Sequence, residues 1–124
     1  MFDDASSFNS DLSMWDVSNV KDMTGMFQNA HTFNGDLSKW NVGQVTDMQF
    51  MFYVASDFNS DVSSWDVSRV TTMAGMFGSA TAFSQTLCWD VTGITTTSMF
   101  TNSGGGSVSS YSDSGGTTVY TPYA

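Results

Sequence analysis

The sequence predicts a stacked α/β repeat array in which each coil supplies one short parallel strand and one short helix. Three observations predict it. The phrase Phe8-Asn9-Ser10-Asp11-Leu12 returns as Phe33-Asn34-Gly35-Asp36-Leu37 and again from Phe58, a period of 25 residues. Units of that size cannot bury an apolar face alone and stack on their neighbours. Every Trp, and every Phe except Phe50, falls in a fixed column of the repeat. The apolar content is itself unusual, with ten Phe, nine Met and four Trp but few Leu or Ile.

The repeat divides the chain into a domain over residues 1–100 and a Gly/Ser/Thr-rich stretch over 101–124. Within the domain there is a partial coil at 1–7, coils at 8–32, 33–57 and 58–82, and a degenerate coil at 83–100. Met1-Phe2-Asp3-Asp4-Ala5 matches Met26-Phe27-Gln28-Asn29-Ala30, so the chain opens inside a repeat. That start reads as a piece of a longer array, or as a gene beginning assigned to an internal Met. The last copy is two residues shorter, with one residue lost before Trp89 and one before Met99, and Thr97 is expected in its first Met column.

Each coil opens on a corner rich in turn residues, Phe8-Asn9-Ser10-Asp11 in the first copy. Leu12, Trp15 and Val17 then predict a short or bent strand, because only Trp15 and Val17 alternate. Strands offset by a full repeat pair in parallel, about 4.8 Å apart. Val20, Met23, Met26, Phe27 and Ala30 lie at a near-helical spacing and predict a short helix. Ser18, Ser68 and Thr92, with Gly43 in the second copy, are its expected N-caps. Asp22 and Asp47 would face the positive end of the helix dipole, and Gly25 and Gly75 would keep the helix short. Met suits such stacks because it fills irregular gaps and packs well beside aromatic rings. The 101–124 stretch cannot bury enough surface to offset its ordering entropy and predicts a disordered tail or linker.

The phrase Phe-Asn-x-Asp-Leu-Ser-x-Trp-Asp-Val-Ser-x-Val-x-x-Met-x-x-Met-Phe-x-x-Ala closely resembles the BspA-like leucine-rich-repeat surface protein family over residues 1–100. The resemblance implies a leucine-rich-repeat-like right-handed solenoid, a microbial or protist cell surface, and adhesion or protein binding. The chain departs from the usual pattern in lacking the Asn after the strand, where Val20 and Val45 stand, and shows no secretory signal at its start.

The chemistry points away from an enzyme. The single His, His31, stands in a variable position and reads as a solvent-facing spacer. No Ser/His/Asp set repeats, no Gly-rich loop follows a strand, and no Cys/His cluster has metal spacing. No cofactor is expected. Cys88 is alone, excludes an intrachain disulfide, and reads as a small half-buried residue beside Trp89. Three basic residues against twelve Asp, with a net charge of -9, leave no footprint for nucleic acid or an anionic membrane surface. No apolar run approaches the roughly 18 residues a membrane span needs.

Two polar files remain. Asp11, Asp36 and Asp61 form a column that reads as side-chain bonds to turn backbone, with calcium held between coils as the alternative. Residues flanking Trp and Val form an outward face whose candidate partner-binding residues are Met14, Asp16, Lys39, Asn41, Ser64, Asp66 and Asp90. If that face binds, a basic protein fits best and raised salt should weaken the contact; a host or cell-surface ligand is what the resemblance implies, and a solvated face without a partner is the alternative. The expected role is therefore non-enzymatic binding at a cell surface. The competing roles are a structural spacer, or a fragment of a longer surface protein.

Overall fold

A β-turn brings its first and fourth residues together. If those two are apolar and the middle pair polar, a chain of turns points its apolar ends one way. Most turns of this chain follow that rule, with Tyr53 and Val54 between Phe52 and Ala55 an exception. In the computed structural model, which describes residues 1–108 and the backbone at 111–112 and 118–119, the first full coil closes five such turns. The amides of Trp15, Val20, Met26, Ala30 and Phe33 donate to the carbonyls of Leu12, Val17, Met23, Phe27 and Ala30, at 2.9–3.2 Å. The second and third coils repeat the set from Leu37–Trp40 and Val62–Trp65 onward. The apolar columns of the sequence are thus the ends of turns.

The expected leucine-rich-repeat-like α/β solenoid, with a strand and a helix in each coil, is not formed. Among the described residues there is no helix, and the strands are two-residue pieces: β1 (Thr86–Leu87), β2 (Ser107–Val108), β3 (Tyr111–Ser112) and β4 (Thr118–Val119). β1 pairs with β2 in parallel and β3 with β4 antiparallel. The stripe from Val20 to Ala30 misled because a spacing of three serves a turn chain as well as it suggests a helix. Left-handed residues settle the matter locally. Gly25 (φ 60°) and Asn29 (φ 58°) bracket the segment in the first coil, with Phe50 and Val54, Gly75 and Ser79, and Ser98 and Asn102 at the same places in later coils. A right-handed helix cannot continue through such residues.

Between coils the backbone forms a ladder. Met23, Gly25, Phe27 and Asn29 donate to the carbonyls of Asp47, Gln49, Met51 and Tyr53 at 2.8–2.9 Å, and the pattern recurs down the stack. Parallel bridges join Asp22 to Asp47, Asp47 to Thr72, and Thr72 to Thr95. Local turns and the ladder alternate along the chain, so neighbouring amides are satisfied without helix or extended sheet.

Side chains fill the space inside the coils as files. Phe27 stacks on Phe52, and Phe52 on Phe77, with ring centroids 5.4 and 5.5 Å apart. A second file, Phe33–Phe58–Phe83, runs beside it at 6.1 and 6.2 Å. The two touch at 3.9 Å between Phe52 and Phe58. Met23, Met48, Met51, Met73 and Met76 are buried against them. The Trp column is less uniform. Trp65 and Trp89 stack at 6.4 Å, Trp40 packs on Phe27, and Trp15 in the first coil is 43% exposed.

Trp40 and Trp65 donate their indole N–H to the carbonyls of Leu12 and Leu37 one coil back, both at 2.9 Å. Trp89 Nε1 is buried with no acceptor among the described residues. The coil is one residue short at this point, with Cys88 alone where the previous coil has Ser63 and Ser64. Removing an indole N–H from a paired carbonyl strands that carbonyl and costs about 1–3 kcal/mol, whereas removing an unpaired donor relieves a cost. Urea denaturation followed by circular dichroism should therefore show Trp40→Phe more destabilising than Trp89→Phe by about that amount. Equal losses would contradict this.

The ladder also corrects the register of the last coil. Met73 and Gly75 donate to Thr95 and Thr97, as Met48 and Phe50 donate to Thr72 and Ala74. The residue in the Met column is therefore Thr96, not Thr97, and Thr96 is the half-buried one of the two. Residues 101–108, grouped with the tail by composition, include β2 lying on β1, and the Gly104 amide donates to the Ala80 carbonyl at 3.3 Å. A Cβ at Gly104 would collide with the Thr81 carbonyl, so glycine is required there. For the rest of the expected disordered stretch, the β3–β4 backbone pairing is what is described. Positions 109–110, 113–117 and 120–124, including Tyr120 and Tyr123, lie outside the described residues.

Phe50, the phenylalanine outside the columns, meets Tyr53 edge-on at 5.5 Å and covers the next coil's glycine. A Cβ on Gly75 would sit 2.5 Å from its ring, and Gly75 is left-handed at φ 64°. Val54 is the costly choice among the left-handed positions, a β-branched residue at φ 59° where the first and fourth coils place Asn29 and Asn102. Val54→Asn should raise stability by about 1 kcal/mol. No rise in the urea midpoint would show that the site gains more from the valine side chain than it loses in strain.

Candidate binding face

The polar middles of the turns are organised by Asp and Asn. An Asx side chain that accepts from the amide two residues on forms a compact turn of its own. Three files of them run along the stack. Asp11, Asp36 and Asp61 accept from the amides of Ser13, Ser38 and Ser63, each at 2.9 Å. Asp16, Asn41, Asp66 and Asp90 accept from Ser18, Gly43, Ser68 and Thr92 at 3.0–3.1 Å. Asp22 and Asp47 accept from Thr24 and Gln49 at 2.8 and 2.9 Å. The residues expected as helix N-caps (Ser18, Gly43, Ser68 and Thr92) are therefore amide donors to turns. Asp22 and Asp47, expected at a helix dipole, cap turns too.

The Asn column works differently. Asn9 Oδ1 accepts from the Asn34 amide at 3.0 Å, Asn34 Oδ1 from Asn59 at 2.8 Å, and Asn59 Oδ1 from Ser84 at 3.2 Å. These bonds tie one coil to the next. Asp11, Asp36 and Asp61 by contrast bond within their own coils. Among the described residues no three His, Cys or Asp side chains are grouped so as to hold a metal ion. His31 is exposed, with Nδ1 3.2 Å from Ser56 Oγ.

Seven of these carboxyls are held below the ordinary value of 3.8: Asp11, Asp16, Asp22, Asp36, Asp61, Asp66 and Asp90. In each, the hydroxyl and then the amide of the Ser or Thr two residues on favour the charged form.

All seven residues read from the sequence as a binding face (Met14, Asp16, Lys39, Asn41, Ser64, Asp66 and Asp90) are exposed. The acidic ones and Asn41 share one file. Met14 is 84% exposed at the first coil, and Ser64 Oγ is engaged, donating to the Ser38 carbonyl at 3.1 Å. A groove of about 230 Å³ opens at the shortened corner between the third and fourth coils. Trp65, Trp89 and Val67 line it with Ser63, Ser68, Cys88, Asp66 and Asp90. Cys88 is half-buried there. The sequence showed the acidic file and the missing residue separately. Nothing in it showed that the two coincide.

The fold and face define a class: an acidic stack of turn-built coils whose ordered carboxylates are displayed at fixed intervals. The chain belongs to the family described as "Mycoplasma protein of unknown function, DUF285", whose model matches residues 1–110. No curated protein and no solved structure matches it. No helix among the described residues is long and apolar enough to cross a membrane.

Proposed function

We propose that the chain is a non-enzymatic recognition module, displayed at a cell surface, that binds basic protein partners through the file of Asp16, Asn41, Asp66 and Asp90. One observation carries the reading. Each carboxylate of the file spends Oδ1 on its own turn, which orders the side chain, while Oδ2 has no hydrogen bond among the described residues. A charge that is ordered, outward and unpaired has little entropy left to lose when a partner arrives. Surface display and adhesion rest on the resemblance to BspA-like surface proteins. A structural spacer is the second reading, favoured by the Asn file, whose bonds are used up within the stack.

The test uses lysozyme and cytochrome c as basic probes on the immobilised chain, with serum albumin as acidic control. A net charge of -9 attracts basic proteins by itself, so two variants of equal charge change are compared. Asp16→Lys with Asp66→Lys should weaken binding about fivefold or more, and Asp11→Lys with Asp36→Lys should change it far less. Binding should also fall as salt rises. Equal losses in the two variants would reduce the effect to net charge and leave the spacer reading in place.

A further inference from the structure

We propose that the groove between the third and fourth coils is a receptor for a single arginine side chain of a partner protein. The inference rests on the recognition reading above and deepens it. Down the file the residues run Asp16, Asn41, Asp66, Asp90, so Asp66 and Asp90 are its one pair of carboxylates on adjacent coils. Asn41 interrupts every other pairing. The groove opens at this pair, because here the chain is one residue short, with Cys88 facing Ser63 and Ser64.

The lining divides by chemistry. Asp66 and Asp90 are exposed at the rim with Ser63 and Ser68, while Trp65, Trp89 and Val67 are buried beneath. An occupant must bring positive charge at its tip and methylene groups along its stem. Two carboxylates that reach one rim from adjacent coils ask for donors pointing in two directions at once. A guanidinium carries a planar fork of donors that meets this demand, whereas an ammonium is a compact point charge that satisfies one carboxylate at a time. The chain's own nearby cation, Arg69, is tethered by its Nη1 to Gln44 Oε1 at 3.1 Å and adds only a minor charge effect at Asp66, behind the two contacts from Ser68.

The structure also supplies its own conservative replacement. Asn41 makes the same turn as its Asp neighbours, accepting from the Gly43 amide at 3.1 Å. Asp66→Asn and Asp90→Asn should therefore keep the turns and remove only the charge. The probe is N-acetyl-arginine methylamide, titrated into the isotopically labelled full chain and followed by amide NMR shifts, with the lysine analogue alongside. Shifts should gather at Ser63, Asp66, Ser68, Cys88 and Asp90. The lysine analogue should bind about threefold more weakly, and each Asn variant should weaken arginine binding about three- to fivefold. Asp36→Asn carries the same charge change in another file and should leave binding unaltered.

Shifts spread over all the acidic files, an equal loss in Asp36→Asn, or no preference for arginine would overturn the proposal. The two readings fail separately. If basic proteins still bind through the file when Asp66→Asn and Asp90→Asn are combined, the groove is not their contact and the wider face stands. If the arginine probe binds the groove but basic proteins ignore the file, the partner reading falls.

Discussion

Replacing Phe52 with Ala should cost about 3–5 kcal/mol and leave the protein at or beyond the edge of folding. Phe52 is fully buried, with Phe58 at 3.9 Å, Phe27 at 5.4 Å, Phe77 at 5.5 Å and Trp65 at 6.3 Å. With Phe33, it is one of two rings through which the second coil meets both neighbours. A repeat array draws its stability from such interfaces, so one deletion damages two of them. Position should grade the effect. Phe2→Ala, at a half-buried ring in the partial coil 1–7, and Phe50→Ala, at a ring 38% exposed, should each cost far less. Urea denaturation followed by near-ultraviolet circular dichroism measures all three. A loss below about 1.5 kcal/mol for Phe52→Ala would mean that the aromatic files do not hold the stack together.

Acid should weaken the fold over a window set by its turns. Seven Asx-turn carboxyls titrate below their ordinary value of 3.8 when folded. A depressed folded value means that the unfolded chain takes up protons first as pH falls. The stabilisation is complete above the unfolded value and drains away as pH drops through the folded values. Each group is well solvated and contributes modestly, but all seven act in the same direction and in repeated positions. At about 0.15 M salt, which screens the net charge over roughly 8 Å, the urea midpoint should stay level from pH 7 to about 5 and fall steeply below about 4. Asp11→Asn, Asp36→Asn and Asp61→Asn combined should flatten part of that acid limb, because Asn41 shows that an amide makes the turn without a titrating proton. A wild-type midpoint unchanged down to about pH 2.5 would remove the turns from the account of stability.

The face and the groove were legible to different degrees. Asp16, Asn41, Asp66 and Asp90 stood out as one outward file because each flanks a Trp and a Val of the repeat. Their role as turn acceptors was visible in outline for Asp11, Asp36 and Asp61 and was missed for the second file, where Ser18, Ser68 and Thr92 read as helix caps. The same short polar side chains serve both purposes, and local sequence does not separate them. The groove could not be read at all. Its walls, Asp66 with Ser68 and Cys88 with Asp90, belong to different coils, and its opening depends on how the backbone absorbs a deletion.

By itself the chain determined its period, its columns and which side chains turn inward, because an identical phrase at fixed spacing places like residues over like. It could not choose between helix and turns. Apolar residues three apart suit either, and the difference lies in a few backbone angles at Gly25, Asn29, Phe50, Val54 and their equivalents. Those angles are selected by the neighbouring coil, whose carbonyls take the amides that a helix would have kept for itself. Tertiary contact therefore decided the secondary structure. It also moved the Met column of the last coil from Thr97 to Thr96, since register is read between coils and not along one.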